Sequence, residues 1–447
     1  MIRLFVCLCV LITFTHLSAK EPARPRLEPK MSYLENDRVK LGADLAVGGA
    51  ITYLSVAGKD ANIVNNWDWG RQIQMSHYAG PVPFAAGDKR PAEHWKHLGW
   101  NPVQAGDDYR HPSKVLETKN DGKELYVKCA PMQWPLDNVP ADCIFESWVT
   151  LDGLTATVRS KITLHREDKT FYPARTQELP AVYVNAPYHR LFTYQGDKPG
   201  AGDKLTRVTY KPTVAAPWTS WFAAECWAAL VNDDDFGLGV CHPGCHTFSG
   251  GFAGTPGRGG THDASTGYIA PNMAEHLDHN GEYEFTYFLI VGTLADIRAE
   301  ALKRSPKPTA PSWAFAKARQ HWTLVNATDT GWRIKGELVV DLSQPDPQLI
   351  SPAICWPADD APVFHISAAF RGKNADAQLF WSTVEKPGFA DERSVKFAFD
   401  AGTASEYSVK LKGLPEWKGT ITGLRLDPAP GGEKGASIRV KGIRLGK

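Results

Sequence analysis

The chain has 447 residues, 43% hydrophobic and 22% charged, enough for two or three domains with sizeable cores. Fifty basic residues stand against 49 acidic ones; without an N-terminal leader that carries Arg3 and no acid, the balance becomes 49 to 49. That neutrality, with no basic stripe, gives no sign of a general polyanion or nucleic-acid binder and leaves open only a local basic groove inside a neutral protein. No run after the leader approaches the roughly 20 apolar residues of a membrane span.

The opening MIRLFVCLCVLITFTHLSAK joins a basic start, an apolar centre and the small residues Ser18 and Ala19, so it reads as a secretory signal cut near Ala19. The rest is expected to be exported and soluble. Six cysteines remain, Cys129, Cys143, Cys226, Cys241, Cys245 and Cys355; disulfides, with Cys129–Cys143 across neighbouring strands as one pairing, stand beside buried thiols.

Next comes NNWDWGRQIQMSHYAGP, residues 65–81, which crowds aromatic and planar polar groups into one run. If residues 71–78 form a strand, Arg71, Ile73, Met75 and His77 share one face and Gln72, Gln74, Ser76 and Tyr78 the other. One face would line a cleft. Residues 81–114 follow without a period but rich in aromatics, Trp95 and Trp100 among them, which predicts an ordered lid or cleft wall.

From there the period is two. In TATVRSKITLH, Ala156, Val158, Ser160, Ile162 and Leu164 alternate with polar residues, as a half-buried strand requires, and ELYVKC, EYEFTYFLIV, SVKFAFD and EYSVKLKGL repeat the pattern. Only TLADIRAEALKRS reads as a helix, capped by Thr293 with Asp296 completing a capping box. The fold class is therefore all-β and antiparallel, with one short helix. The Pro-rich KRSPKPTAPSW marks a boundary near residue 306, giving units of 20–305 and 306–447, the second a smaller β-sandwich or jelly roll.

Sugars have apolar ring faces edged with hydroxyls, so a sugar site needs flat aromatics and paired hydrogen-bonding groups. Arg71, Gln74, His77, Tyr78, Trp100, His189 and His276 are the candidate substrate-binding residues; eleven of the fourteen histidines lie between residues 77 and 279. Glycoside hydrolysis uses two carboxylates. The candidates are Asp68, Glu146, Glu178, Glu225, Glu275 and Asp278, and two of Asp68, Glu178 and Glu275 are expected to act as acid and as base or nucleophile. CHPGCH offers Cys241, His242, Cys245 and His246 as zinc ligands, against a stronger disulfide or buried-thiol reading.

The segment GYIAPNMAEHLDHNGEYEFTYFLIVGT resembles the closing strand of the galactose mutarotase-like β-supersandwich, and LGADLAVGGAITYLSVAGKDANIVNN, leading to Gly70 and Arg71, resembles its opening hairpin. FESWVTLDGLTATVRSKIT is similar to its central strands. The resemblance covers about residues 38–300 and implies a sugar cleft on a concave sheet, shared by epimerases, hydrolases and lyases. The mutarotases' His-containing YFN motif is absent, so their acid and base do not carry over. AQLFWSTVEKPGFADERSVKFAF and WKGTITGLRLDP are similar to galactose-binding-like jelly rolls, whose Trp381 and Trp417 would stack on sugar or fill core. The reading that follows is an exported carbohydrate-active enzyme, first a glycoside hydrolase acting on a poly- or oligosaccharide. A polysaccharide lyase using Tyr or His with Arg71 on a uronate, and a non-catalytic glycan-binding protein, are the rivals. No cofactor is required; a structural metal stays open.

Overall fold

The computed structural model describes residues 27–209, 218–305 and 308–446; the leader lies outside them. Among the described residues the fold is all-β, with four antiparallel sheets and one short α-helix. The first sheet has ten strands, its path running Met31–Glu35, Val39–Asp44, Ala50–Val56, Ile73–Ser76, Arg175–Asn185, Thr266–Glu275, Thr247–Ala253 and Thr219–Phe222. The second has nine, with Asn280–Thr293, Thr155–His165 and Cys143–Asp152 side by side. Among the described residues no helix is long and apolar enough to cross a membrane.

The two sheets pack face to face through the alternation expected of them. Ala156, Val158, Ser160, Ile162 and Leu164 are buried and Arg159 and His165 exposed. Val182, Val184 and Ile269 of the first sheet meet Val158, Leu230, Val240 and Leu289 of the second in one core. Each such side chain, fully buried, contributes about 1.5–3 kcal/mol. The helix Leu294–Arg304 starts at the predicted capping box, Asp296 N donating to Thr293 Oγ1 at 3.2 Å and Thr293 N to Asp296 Oδ2 at 3.2 Å. It lays Ile297 and Ala301 on the second sheet, where any Cβ at Gly239 would come within 2.2 Å of Ile297 Cγ2.

One irregularity decides what the first sheet presents outward. In the strand Arg175–Asn185, Glu178 pairs with Asn272 but Val182 with Ile269, four residues against three. Pro180 lies in the bulge, where its missing N–H breaks no ladder bond. The extra residue reverses the alternation. Glu178 and Tyr183 both stand on the outer face while Val182 and Val184 point into the core.

Two further sheets of six strands each lie between Ser312 and Gly446 around a core that includes Trp322, Phe364, Trp381 and Leu424. Trp381 and Trp417 meet edge to face at 5.2 Å, and their indole N–H groups donate to the carbonyls of Glu416 and of Ala358 and Ala361. They are core residues, not sugar platforms.

These sheets are braced against the first pair by buried polar groups. Arg319, 3% exposed, donates from Nη1 and Nη2 to Asp278 at 2.7 and 2.9 Å and from Nε to Asp329 at 3.0 Å. Tyr283 Oη also donates to Asp278, at 2.6 Å. His276 accepts from Leu324 N at 3.0 Å on Nε2 and meets the Tyr172 carbonyl at 3.1 Å on Nδ1, which fixes a neutral ring with its proton on Nδ1.

Two cysteine expectations are corrected. All six described cysteines are free. Cys129 stands opposite Phe145, so Cys143 is a diagonal neighbour, a position roughly 7–8 Å away where a disulfide does not close. In CHPGCH, Cys241 faces Ala301 of the helix, Cys245 donates to the Thr247 and Asn272 carbonyls, and His242 and His246 stack on Phe285 and Phe222. Those four donors do not converge on a zinc site, and among the described residues no three His, Cys, Asp or Glu are grouped to hold a metal.

Candidate functional site

A cleft of about 410 Å³ opens on the outer face of the first sheet, lined by Tyr78, Leu98, Arg175, Glu178, Ser249, Tyr268 and Asn272, among others. Its size falls within the roughly 300–1,000 Å³ of small-molecule sites. Glu178 stands at its floor. Tyr78 Oη donates to Glu178 Oε2 at 2.9 Å, and Tyr268 Oη donates to Oε1. Burial raises the Glu178 carboxyl above its ordinary value, while the tyrosine hydroxyls pull it back. Burial, with the Glu178 charge beside it, pushes both phenols far up, so they serve as hydrogen-bond donors, not bases.

The walls come from three directions. Arg175 lies 5.8 Å from the Tyr78 ring and donates to the carbonyls of Leu98 and His97 at 2.6 and 3.1 Å. It thereby docks the middle of the 81–114 loop, whose Leu98 lines the cleft. Ser249 Oγ donates to Asn272 Oδ1 at 2.6 Å on the far side. Along the sheet, Tyr183 and Trp218 pack on Tyr268 with ring centroids 4.8 and 4.9 Å away, an aromatic wall suited to a sugar ring face. Burial pushes the Tyr183 phenol up, and the charges of Glu178 and Asp68 on either side add to it. Asp68 Oδ2 pairs with Arg71 Nε at 3.1 Å, and Arg71 Nη1 donates to the Ala264 carbonyl at 2.6 Å. Burial raises the Asp68 carboxyl too, with Arg71 opposing it.

Of the residues proposed from sequence, Glu178 and Tyr78 line this cleft, and Asp68 and Arg71 stand beyond Tyr183; the others are elsewhere. The expected strand 71–78 is only Ile73–Ser76, buried on both faces. Gln74 is roofed by the 66–72 and 100–106 segments, bonding Trp69 O at 2.8 Å and Ala105 N at 2.9 Å. His77 faces inward between Phe145 and Phe285, and Trp100 is core, donating to Asp142 at 2.7 Å. Glu275 pairs with His321 at 2.8 Å and His276 is part of the brace. His189 sits by Phe252 and Asp233. The histidine-rich turns therefore do not converge on one hollow. Arg175, Tyr183, Tyr268, Asn272 and Ser249 were missed, although Tyr268, Ala270 and Asn272 alternate along one strand.

The misplaced histidines carry their own consequence. Burial lowers His77 and His242 from 6.5 to about 4, and lowers His246 and His276 as well. A depressed histidine stabilises the fold above its unfolded value, and that stability is lost as pH falls toward the folded one. His321, raised first by its bond to Glu275, has the opposite sign but is one against four and half-exposed. The urea midpoint is therefore expected to fall steadily from about pH 6.5 to about pH 5, above the main carboxylate range. A flat midpoint over that window would contradict the burial of these rings.

The fold and cleft together define an all-β sandwich protein with an open cleft on the outer face of its first sheet. The chain is similar, over 60% of its length and all of the other's, to a putative aldose 1-epimerase from Escherichia coli at 11% identity and a TM-score of 0.37. A galactose mutarotase-like protein from Lactobacillus casei matches 58% of this chain and 99% of its own at 12% identity and 0.38. A 4-alpha-glucanotransferase from Thermococcus litoralis matches 59% of this chain and 40% of its own at 13% identity and 0.33. No protein-family model and no curated protein matches. Likenesses this slight say nothing of chemistry.

Proposed function

We propose that the chain is an exported carbohydrate-active enzyme, a glycoside hydrolase in which Glu178 carries the proton and Asp68, across the Tyr183 ring, is the second carboxylate. The observation that supports it is a raised carboxyl held by two phenols on the floor of an open cleft beside an aromatic wall. Glu275, tied to His321, drops out of the pair. Export rests on the leader in residues 1–19, and residues 306–447 are read as an ancillary jelly-roll unit. Arg175 beside Tyr78 favours a second reading, a lyase in which a guanidinium neutralises a uronate carboxylate.

The test is a polysaccharide panel with the purified full chain, following reducing ends and ultraviolet absorbance together. New reducing ends without absorbance are expected. Absorbance from an unsaturated product would replace the hydrolase with the lyase, and binding with no released sugar from any polymer would leave a glycan-binding protein.

A further inference from the structure

A second hollow of about 250 Å³ is walled by Tyr33, Tyr53 and Trp69, with Asn66, Arg110 and His262 among its lining. Arg110 is held there by construction. Its backbone has φ +73°, a left-handed conformation uncommon for a bulky residue. The turn that imposes it is pinned by the buried Asp107, whose carboxylate accepts from His111 N and Asn138 N, each at 2.8 Å, and contacts His111 Nδ1 at 2.9 Å.

The guanidinium so placed is partly exposed. It lies 5.6 Å from the Trp69 ring, and among the described residues it makes no hydrogen bond or ion pair. Of the carboxylates nearby, Asp68 pairs with Arg71 at 3.1 Å and interacts with the Arg110 charge only at longer range, Asp108 accepts from Trp95 Nε1 at 2.8 Å, and Asp44 accepts from the N–H groups of Lys30 and Ala46, each at 2.9 Å. A planar fork of five donors, stacked on an indole and facing a hollow the size of one ring, suits a planar or tetrahedral oxyanion.

We propose that this hollow is a subsite for an acidic sugar unit, its carboxylate or sulfate group bound by Arg110 and its ring lying against Trp69. The inference rests on the carbohydrate reading above and narrows its substrate class to anionic glycans.

Calorimetric titration of the full chain with pectate and alginate, which carry carboxylates, with carrageenan, which carries sulfates, and with neutral galactomannan tests it. Acidic polymers should bind, more weakly as salt is added, and at least about tenfold more weakly to Arg110→Gln. Arg110→Lys should recover part of the loss, and galactomannan should not distinguish the variants. The carboxylate and sulfate arms identify which anion is taken. Arg110→Asn, whose side chain tolerates a left-handed backbone, replaces the Gln variant if that one misfolds. Acidic polymers binding no better than galactomannan, or no less tightly to the Arg110 variants, would overturn the subsite and leave the Glu178 chemistry standing. Conversely, Arg110-dependent binding without turnover of any polymer would remove the enzyme reading and keep the subsite.

Discussion

Glu178→Gln is expected to lower turnover by about 10²–10⁴-fold on any glycan the protein cleaves, the usual range for removing a positioned acid or base. Glutamine has nearly the same shape; its single oxygen accepts from one of Tyr78 and Tyr268 and its amide N–H donates to the hydroxyl oxygen of the other, so the cleft keeps its form while losing its proton carrier. The pH profile separates chemistry from structure. Because burial holds the Glu178 carboxyl above the ordinary range, an acid role makes activity fall as pH rises through that value, and the variant should lack that limb. Stability has the same sign: a raised carboxyl stabilises the fold below its unfolded value, about 4.5, and loses that contribution as pH rises through the folded one. The Gln variant should therefore equal or exceed the parent in thermal unfolding near neutrality. Turnover within a few-fold of the parent would remove Glu178 from the mechanism.

Arg319→Ala should be the most damaging single change to stability. It leaves Asp278, bonded at 2.7 and 2.9 Å, and Asp329, at 3.0 Å, as uncompensated buried charges. Breaking a buried pair from one side costs about 3–5 kcal/mol, a large share of a typical total of about 5–15 kcal/mol. Arg319→Lys should cost less, since it keeps the charge but not the fork that serves both acids. Urea unfolding monitored by tryptophan fluorescence measures both. A loss under about 1 kcal/mol for Ala would mean that water reaches the site and the brace is slack.

The fold was legible because alternation in strands such as Thr155–His165 and the Thr293–Asp296 box are local signals. The site was less so, for three physical reasons. Strict alternation would put Glu178 on the same face as Val182 and Val184; only the bulge at Pro180, a matter of register with a strand some 90 residues away, turns it outward. Gln74 looked like a cleft residue because its amide is planar and polar, yet that is also what lets it satisfy the backbone groups of two covering loops. The histidines misled because a neutral imidazole packs as an aromatic, as His77 does between two phenylalanines. Glu178 itself was chosen from its Pro- and Tyr-flanked segment, and Tyr78 from the polar run before it.

The polar brace at Arg319 and His276 also bears on modularity. The segment it grips, residues 276–283, continues directly from the strand that contributes Tyr268 and Asn272. Severing the chain at its Pro-rich segment would thus not release a self-contained unit that carries the cleft. Domain-swapped chimaeras would have to transplant the acidic partners together with the arginine, making the junction, more than either half, the unit that evolution or an engineer must conserve.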